Sequence, residues 1–422
     1  MHLGEKIRYF RKVKNLSQQE LAAGICSIPY LSKIENGVTE PSDEIQQHLA
    51  ARLEVRLESI NENEMIQKYI DLFYSLYQRD HKSAEEKFNA LAASPLQSVD
   101  DDILHKIFKS IYIMMTKLET QGVHELLDEV SHIGNVMKGE KAFYYLLAKG
   151  QLSYFSNDYD EAFHYFLKAE KQLVNHSFQE WEKGYLLYMI GLTANQLYRN
   201  IVALEYTARA LEIFEKNYFF KRCADCRVIL AIVHLRVKNF DESANQLLLA
   251  ETIANTFNDD VLHGVINHNL GSIATHKGEA DQAIELYSKS LEAKEKVTLS
   301  AKIMTIFALV KEYEKTNQSA KGLELIDTWL KQVQTDPLNR GFELHFLYFK
   351  HLFKYGEINA DFMINELLPY FEQRNEWIHL ADYYPILGKY FEKQQKYKQA
   401  SHYYSLAFDA LKNMHQVGVT YV

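Results

Sequence analysis

Two groups of residues in this 422-residue chain have types and spacing that suggest chemistry. The first is Cys223-Ala224-Asp225-Cys226, whose Cys-x-x-Cys step has the spacing of a metal-ligand pair. Zinc needs four ligands, and neither a second Cys pair nor a His-x-x-x-His accompanies it, so the pair reads as structural. The second is a basic head. Lys6, Arg8, Arg11, Lys12, Lys14 and Lys33 stand against Glu5, Glu20 and Glu35 in residues 1–38, a balance of +3. The whole chain carries −9, so the remainder carries −12. A positive head on an acidic body is the charge pattern of a tethered nucleic-acid module. No enzyme motif joins these groups. The 17 histidines include no His-Glu-x-x-His, and no Gly-x-Gly-x-x-Gly, Walker loop or Gly-x-Ser-x-Gly occurs. The expectation is a protein with no catalytic residue, cofactor or metal.

The elements that carry these residues are helices. Only 6 Pro and 17 Gly occur, against 28 Tyr and 23 Phe, which excludes turn-rich all-β, collagen-like and disordered chains. Long packed helices accommodate such a composition. The length calls for more than one domain. Three cysteines fit a reducing compartment, the N-terminus is charged from the start, and no apolar run is long enough to cross a membrane. The expected location is the cytoplasm.

Within residues 1–60, Leu3, Ile7 and Phe10 recur at helical spacing and predict a first helix from Gly4 to Lys14. Ser17 and Glu20 form a capping box for a second helix, Gln18 to Ala23. Ser27 caps a third with Pro29 in its first turn, Asn36-Gly37 stops it, and Ser42 caps a fourth. Arg11 and Glu35 are expected to pair across the first and third helices, and Cys26 to be buried and inert. The stretches Leu16–Ala22 and Tyr30–Gly37 resemble the helix-turn-helix of phage-repressor (Cro/cI-type) proteins, with a turn at Gly24-Ile25-Cys26 one residue shorter than usual. That resemblance implies that the third helix enters the major groove. Ser27, Ile28, Pro29, Ser32 and Lys33 would then face DNA, with Gln18 and Asn36 on phosphates. Lys33 can donate to guanine, whereas Ile28 offers only an apolar contact or packs inward.

From residue 61 to 422 the chain repeats itself. Gly150 is followed 12, 16 and 19 positions on by Ala162, Phe166 and Ala169. Gly191, Ala231, Gly271 and Gly388 open similar series, and weaker ones begin at Leu72, Ser110 (Gly122, Leu126) and Val310. A divergent copy fits between 342 and 375. The pattern resembles the tetratricopeptide repeat at a period near 40, in about nine copies, and so implies an all-α right-handed superhelix behind the head. The inward positions of each first helix are then Tyr144, Gln151, Tyr154, Tyr188, Asn195, Asp225, Arg236, His268, Asn269, Ser272, Lys311 and Lys354. Amides, hydroxyls and separated charges suit an extended peptide, and Asn269 is the best candidate to clamp a peptide bond.

A short-turn helix-turn-helix joined to long tetratricopeptide repeats resembles the peptide-pheromone-responsive Rap/Rgg/NprR/PlcR/PrgX family of Gram-positive quorum-sensing regulators. The resemblance implies a homo-oligomeric transcription regulator that activates genes, such as one for extracellular neutral protease, when an imported signalling oligopeptide fills the groove. It also implies a peptide-free form that restrains sporulation by binding a phosphorelay response regulator. The alternative is an adaptor that sequesters a response regulator, with DNA binding secondary. The polar residues Glu54–Glu64 are expected to let the heads reorient.

Overall fold

The computed structural model describes residues 3–55, 62–93, 99–117, 120–134, 137, 139–174 and 177–417. Among the described residues every regular element is a helix. Four short ones form the head: α1 (Leu3–Val13), α2 (Gln18–Ala22), α3 (Ile28–Glu35) and α4 (Asp43–Leu53). Four long pairs follow along the chain: α5 (Glu62–Tyr77) and α6 (His81–Ala93), α7 (Val99–Lys117) and α8 (Val123–Gly134), α9 (Gly139–Phe155) and α10 (Tyr159–Glu170), α11 (Glu180–Gln196) and α12 (Asn200–Lys216). Then come α13 (Phe220–Arg236) and α14 (Phe240–Phe257), α15 (Asp260–Lys277) and α16 (Ala280–Ala293), α17 (Leu299–Lys315) and α18 (Ser319–Val333). The divergent copy is α19 (Arg340–Tyr355) with a broken partner: α20 (Ala360–Phe362), a π-turn at Met363–Leu367, and α21 (Leu368–Gln373). Pro369, which has no N–H to give, lies two residues beyond the end of that π-turn. The last pair is α22 (Trp377–Lys393) and α23 (Tyr397–Val417).

The small residues of the repeat are sockets for rings. A Cβ on Gly150 would lie 2.4 Å from the Phe166 ring, and one on Gly388 would lie 2.5 Å from Tyr404. Gly271 stands in the same relation to Tyr287, at 2.8 Å. Each glycine is therefore the space filled by the ring sixteen residues later in the same copy. One copy departs from expectation. Gly122 sits in a left-handed turn (φ 76°) ahead of α8, and Val123, Leu127 and Val130 are the buried side chains, a register one residue later.

The chain divides into two compact units, residues 1–193 and 194–422. The change of fold type at residue 60 is thus not a boundary between compact units. The head shares the first unit with α5–α10 and most of α11, and a buried ionic network ties it there. Lys6 of α1 meets Asp100 of α7 at 2.6 Å, and Lys141 of α9 holds the other oxygen of Asp100 at 2.8 Å. Asp100 is 1% exposed. Burial alone would raise its carboxyl, but Lys141 and Lys6 outweigh that and hold it at about 2. Beside it, Tyr9 donates to Asp102 (3.0 Å), and Lys106 reaches both Asp102 (2.7 Å) and Glu129 (2.8 Å). Of the expected flexible link, Glu54 caps α4 in a left-handed conformation and pairs with Lys14 at 2.6 Å. Residues 56–61 lie outside the described residues. The expectation of freely reorienting heads is corrected accordingly: α1 itself is anchored to the repeats.

Candidate functional site

The head is built as its capping residues dictate. Ser17 accepts from Glu20 N while the Glu20 carboxylate accepts from Ser17 N, and Ser27 accepts from Tyr30 N to start α3. Gly37, at φ 70°, ends that helix. The short turn is held from below, since Arg52 of α4 donates to the carbonyl oxygens of Leu21 (3.1 Å) and Ala23 at the end of α2. Leu21, Leu31, Ile34 and Leu49 fill the core with Ile7 and Phe10. Arg11 and Glu35 form the expected two-pronged ion pair, at 2.6 and 2.9 Å.

On the opposite side of α3, Ser27, Ile28, Pro29 and Lys33 are exposed and Ser32 is half-buried. Ile28 is 43% exposed, which removes the inward-packing alternative. These side chains make one face at the N-terminal half of the helix, where a recognition helix presents its readers. Asn36 is exposed and takes a long contact from Arg8 at 3.4 Å. Gln18 is turned differently from expectation. Its Nε2 donates to Glu35 at 2.8 Å, so it orients the ion pair instead of reaching outward. Cys26 is half-buried, not fully covered.

The inward residues of the repeats fall into several groups. In the first unit Gln151 is buried and donates to the Tyr185 hydroxyl at 2.7 Å. Tyr144 is also buried, hydrogen-bonded to Glu182, and both are interior groups and not groove-lining ones. Tyr154 and Tyr188 are half-buried, Tyr154 edge-on to Tyr159 and Tyr188 beside Tyr185. In the second unit Asn195 is buried, and its carbonyl oxygen accepts from Arg236 at 2.7 Å while the Arg236 guanidinium lies over Tyr198. Asp225 pairs with Arg222 at 3.2 Å. Asn269 turns its amide nitrogen back to Val265 O at 2.9 Å, which commits one of its two N–H donors and leaves the other and the side-chain oxygen for a clamp on a peptide bond. Ser272 is half-buried one turn on. His268 shares a 3.0 Å hydrogen bond with Thr305, and burial holds its ring down to about 4, leaving it neutral. Lys354 is exposed over Tyr355, apart from the cavity described next.

Near His268 lies a buried cation. Lys294 is 6% exposed, its Nζ stands 3.4 Å from Thr305 Oγ1, and burial lowers it to about 8. Burial thus penalises its charged form in the folded state, and stability rises as pH climbs from about 8 towards the ordinary lysine value. Lys294→Met should raise folding stability by about 2–3 kcal/mol at pH 7, with the gain shrinking by pH 9.5. Urea unfolding at both pH values measures this, and a variant no more stable than the parent at pH 7 would refute it.

Lys311 is the expected groove residue with the richest surroundings. Its ammonium meets Asp382 at 3.0 Å, from α17 to α22, over a cavity of about 190 Å³. Phe307, Glu314, His345, Tyr348, Phe349, Tyr383 and Ile386 complete the lining. His345 is buried, 2.6 Å from the Tyr383 hydroxyl and stacked on Phe307. Burial, helped by His379 and Lys311, keeps its ring well below the usual histidine range. The floor is therefore uncharged. Asp382 was open to sequence reading: it precedes Gly388 by six residues, as Asp225 precedes Ala231. His345 and Tyr348 lie in the divergent copy, where no anchor glycine marks the register.

Cys223 and Cys226 are buried within α13, and burial pushes the Cys223 thiol up to about 11. Among the described residues no three His, Cys, Asp or Glu side chains converge to hold a metal. Nor is any helix among them long and apolar enough to cross a membrane.

Known proteins share both parts of this arrangement. A helix-turn-helix family model matches residues 7–60. The transcriptional activator NprA of Geobacillus stearothermophilus is 30% identical over 405 residues, covering 93% of this chain and 99% of that protein. The chain belongs to the Rap/Rgg/NprR/PlcR/PrgX family. Two solved structures in this family show the same repeat fold. A Rap protein complexed with competence and sporulation factor has a TM-score of 0.74 at 16% identity, over 84% of this chain and 100% of that one. NprR in complex with its cognate peptide NprX has a TM-score of 0.66 at 21% identity, over 84% of this chain and 100% of that one. NprA, which this family member matches over nearly its whole length, is by name a transcriptional activator.

Proposed function

We propose that this chain is a cytoplasmic, homo-oligomeric quorum-sensing regulator that binds an imported oligopeptide in its repeats and then activates transcription, extracellular protease genes among its targets. The observation that carries this reading is the exposed α3 face of Ile28, Pro29, Ser32 and Lys33. It sits on a helix started by the Ser27 cap and held by the Arg11–Glu35 ion pair, behind a second helix with an intact capping box, in a chain 30% identical to a transcriptional activator. The fold shared with peptide-bound NprR and Rap supports a peptide as the signal. The peptide-free form restrains sporulation by holding a phosphorelay response regulator. The anchored head lends weight to that second state, since a tethered α1 restricts how two heads can meet DNA.

Capture of genomic fragments on the purified protein, with and without the low-mass peptide fraction of stationary culture, tests the proposal. A two-fold-symmetric site enriched only with peptide is the expected result. No enrichment in either arm, from folded protein, would leave the response-regulator adaptor as the better reading. At the captured site Lys33→Ala should cost about 1–3 kcal/mol at one base position. Binding measured across operator variants separates this from a uniform loss, which would make Lys33 a phosphate contact.

A further inference from the structure

We propose that the cavity between α17, α19 and α22 is the specificity pocket for one apolar side chain of the signalling peptide, and that Lys311 and Asp382 bind the backbone of that same residue. This rests on the peptide-receptor reading above and adds the chemistry that the receptor selects. At about 190 Å³ the cavity is smaller than a site for a drug-sized ligand and suits a single branched or aromatic side chain. Its walls are Phe307, Tyr348, Phe349 and Ile386, and its floor is the neutral His345–Tyr383 pair. Against those walls and that floor a charged side chain would lose its water, and the lining charges Lys311 and Asp382 already neutralise each other.

The rim supplies what an extended backbone needs. The Lys311 ammonium can donate to a peptide carbonyl, and the Asp382 carboxylate can accept from a peptide N–H. In the peptide-free protein the two satisfy each other at 3.0 Å, half-exposed, so separating them costs little. Glu314 adds a second carboxylate to the lining, which disfavours an acidic residue at this position of the peptide.

The test presents the full-length protein with synthetic heptapeptide pools, each fixed at one position as Trp, Phe, Leu, Val, Ala, Asp or Lys, and reads retained peptides by mass spectrometry. At one position the Phe, Leu or Val pool should be retained about tenfold or more above Ala, with Asp rejected. Ile386→Trp, which fills the cavity, should abolish that preference while other positions keep theirs. Phe307→Ala, which enlarges it, should shift the preference to Trp; circular dichroism checks that both variants fold. An apolar preference untouched in both variants would overturn the pocket and leave the peptide-receptor reading standing. Pools retained no better than on an albumin control would overturn both.

Discussion

Asp100→Asn should destabilise the first compact unit by about 3–5 kcal/mol, because it removes the buried negative charge that the Lys6 and Lys141 ammonium groups share. The carboxylate is 1% exposed and is shared between Lys6 of the head and Lys141 of the repeats, at 2.6 and 2.8 Å. An amide of the same shape keeps the packing and removes the charge. Asp102→Asn provides the contrast. Lys106 keeps Glu129 at 2.8 Å, so that variant should lose markedly less. The acid dependence has a defined sign. A carboxyl held at about 2 when folded, against an ordinary 3.8, contributes fully above the unfolded value and loses that contribution as pH falls through the folded one. Urea unfolding from pH 2 to 6, with limited proteolysis after residue 55, measures both. Equal stability of the Asp100→Asn variant and the parent at pH 6 would show that the network does not hold the head.

Gly4→Ala should be the most damaging single methyl in the head. Its Cβ would stand 1.7 Å from the carbonyl oxygen of Ile34 and 2.7 Å from that carbonyl carbon. Both are backbone atoms of α3, so no rotamer change relieves the clash, and α1 must move off the recognition helix. That movement opens the Ile7–Leu31–Ile34 core and pulls Arg11 from Glu35, the pair that also holds Gln18. The expected cost is about 3 kcal/mol, at the upper end for overpacking. DNA affinity, measured by mobility shift, should fall more than tenfold, while the repeat helices keep their far-ultraviolet signal. Unaltered DNA binding would mean that α1 and α3 tolerate a wider separation than their contact suggests.

Much of this architecture was legible because local rules and tertiary packing agree. Ser17 with Glu20, Ser27 before Pro29, and Gly37 state their roles through backbone hydrogen-bonding needs alone. The glycine-to-ring steps at Gly150, Gly271 and Gly388 were equally readable, because a socket and its ring lie on neighbouring helices of one copy. The turns between paired helices were harder. A left-handed residue occurs every 39 to 41 residues at Asn157, Tyr198, Lys238, Gly278, Asn317, Gly356 and Gln395. Tyr198, Lys238 and Gln395 carry none of the composition that usually marks that conformation. Periodicity also could not separate groove from interior: Gln151 and Asn195 occupy inward-type positions yet are buried, Gln151 on the Tyr185 hydroxyl. The head-to-repeat network was least visible, because Lys6, Asp100 and Lys141 are far apart in sequence and each looks like an ordinary surface charge.

That network changes what sets the yardstick for an operator. Where a head swings on a tether, tether length limits how far apart two half-sites can lie. Here α1 is bolted to α7 and α9, so its bearing comes from the repeats. The separation of half-sites is then dictated by whichever surface two copies share.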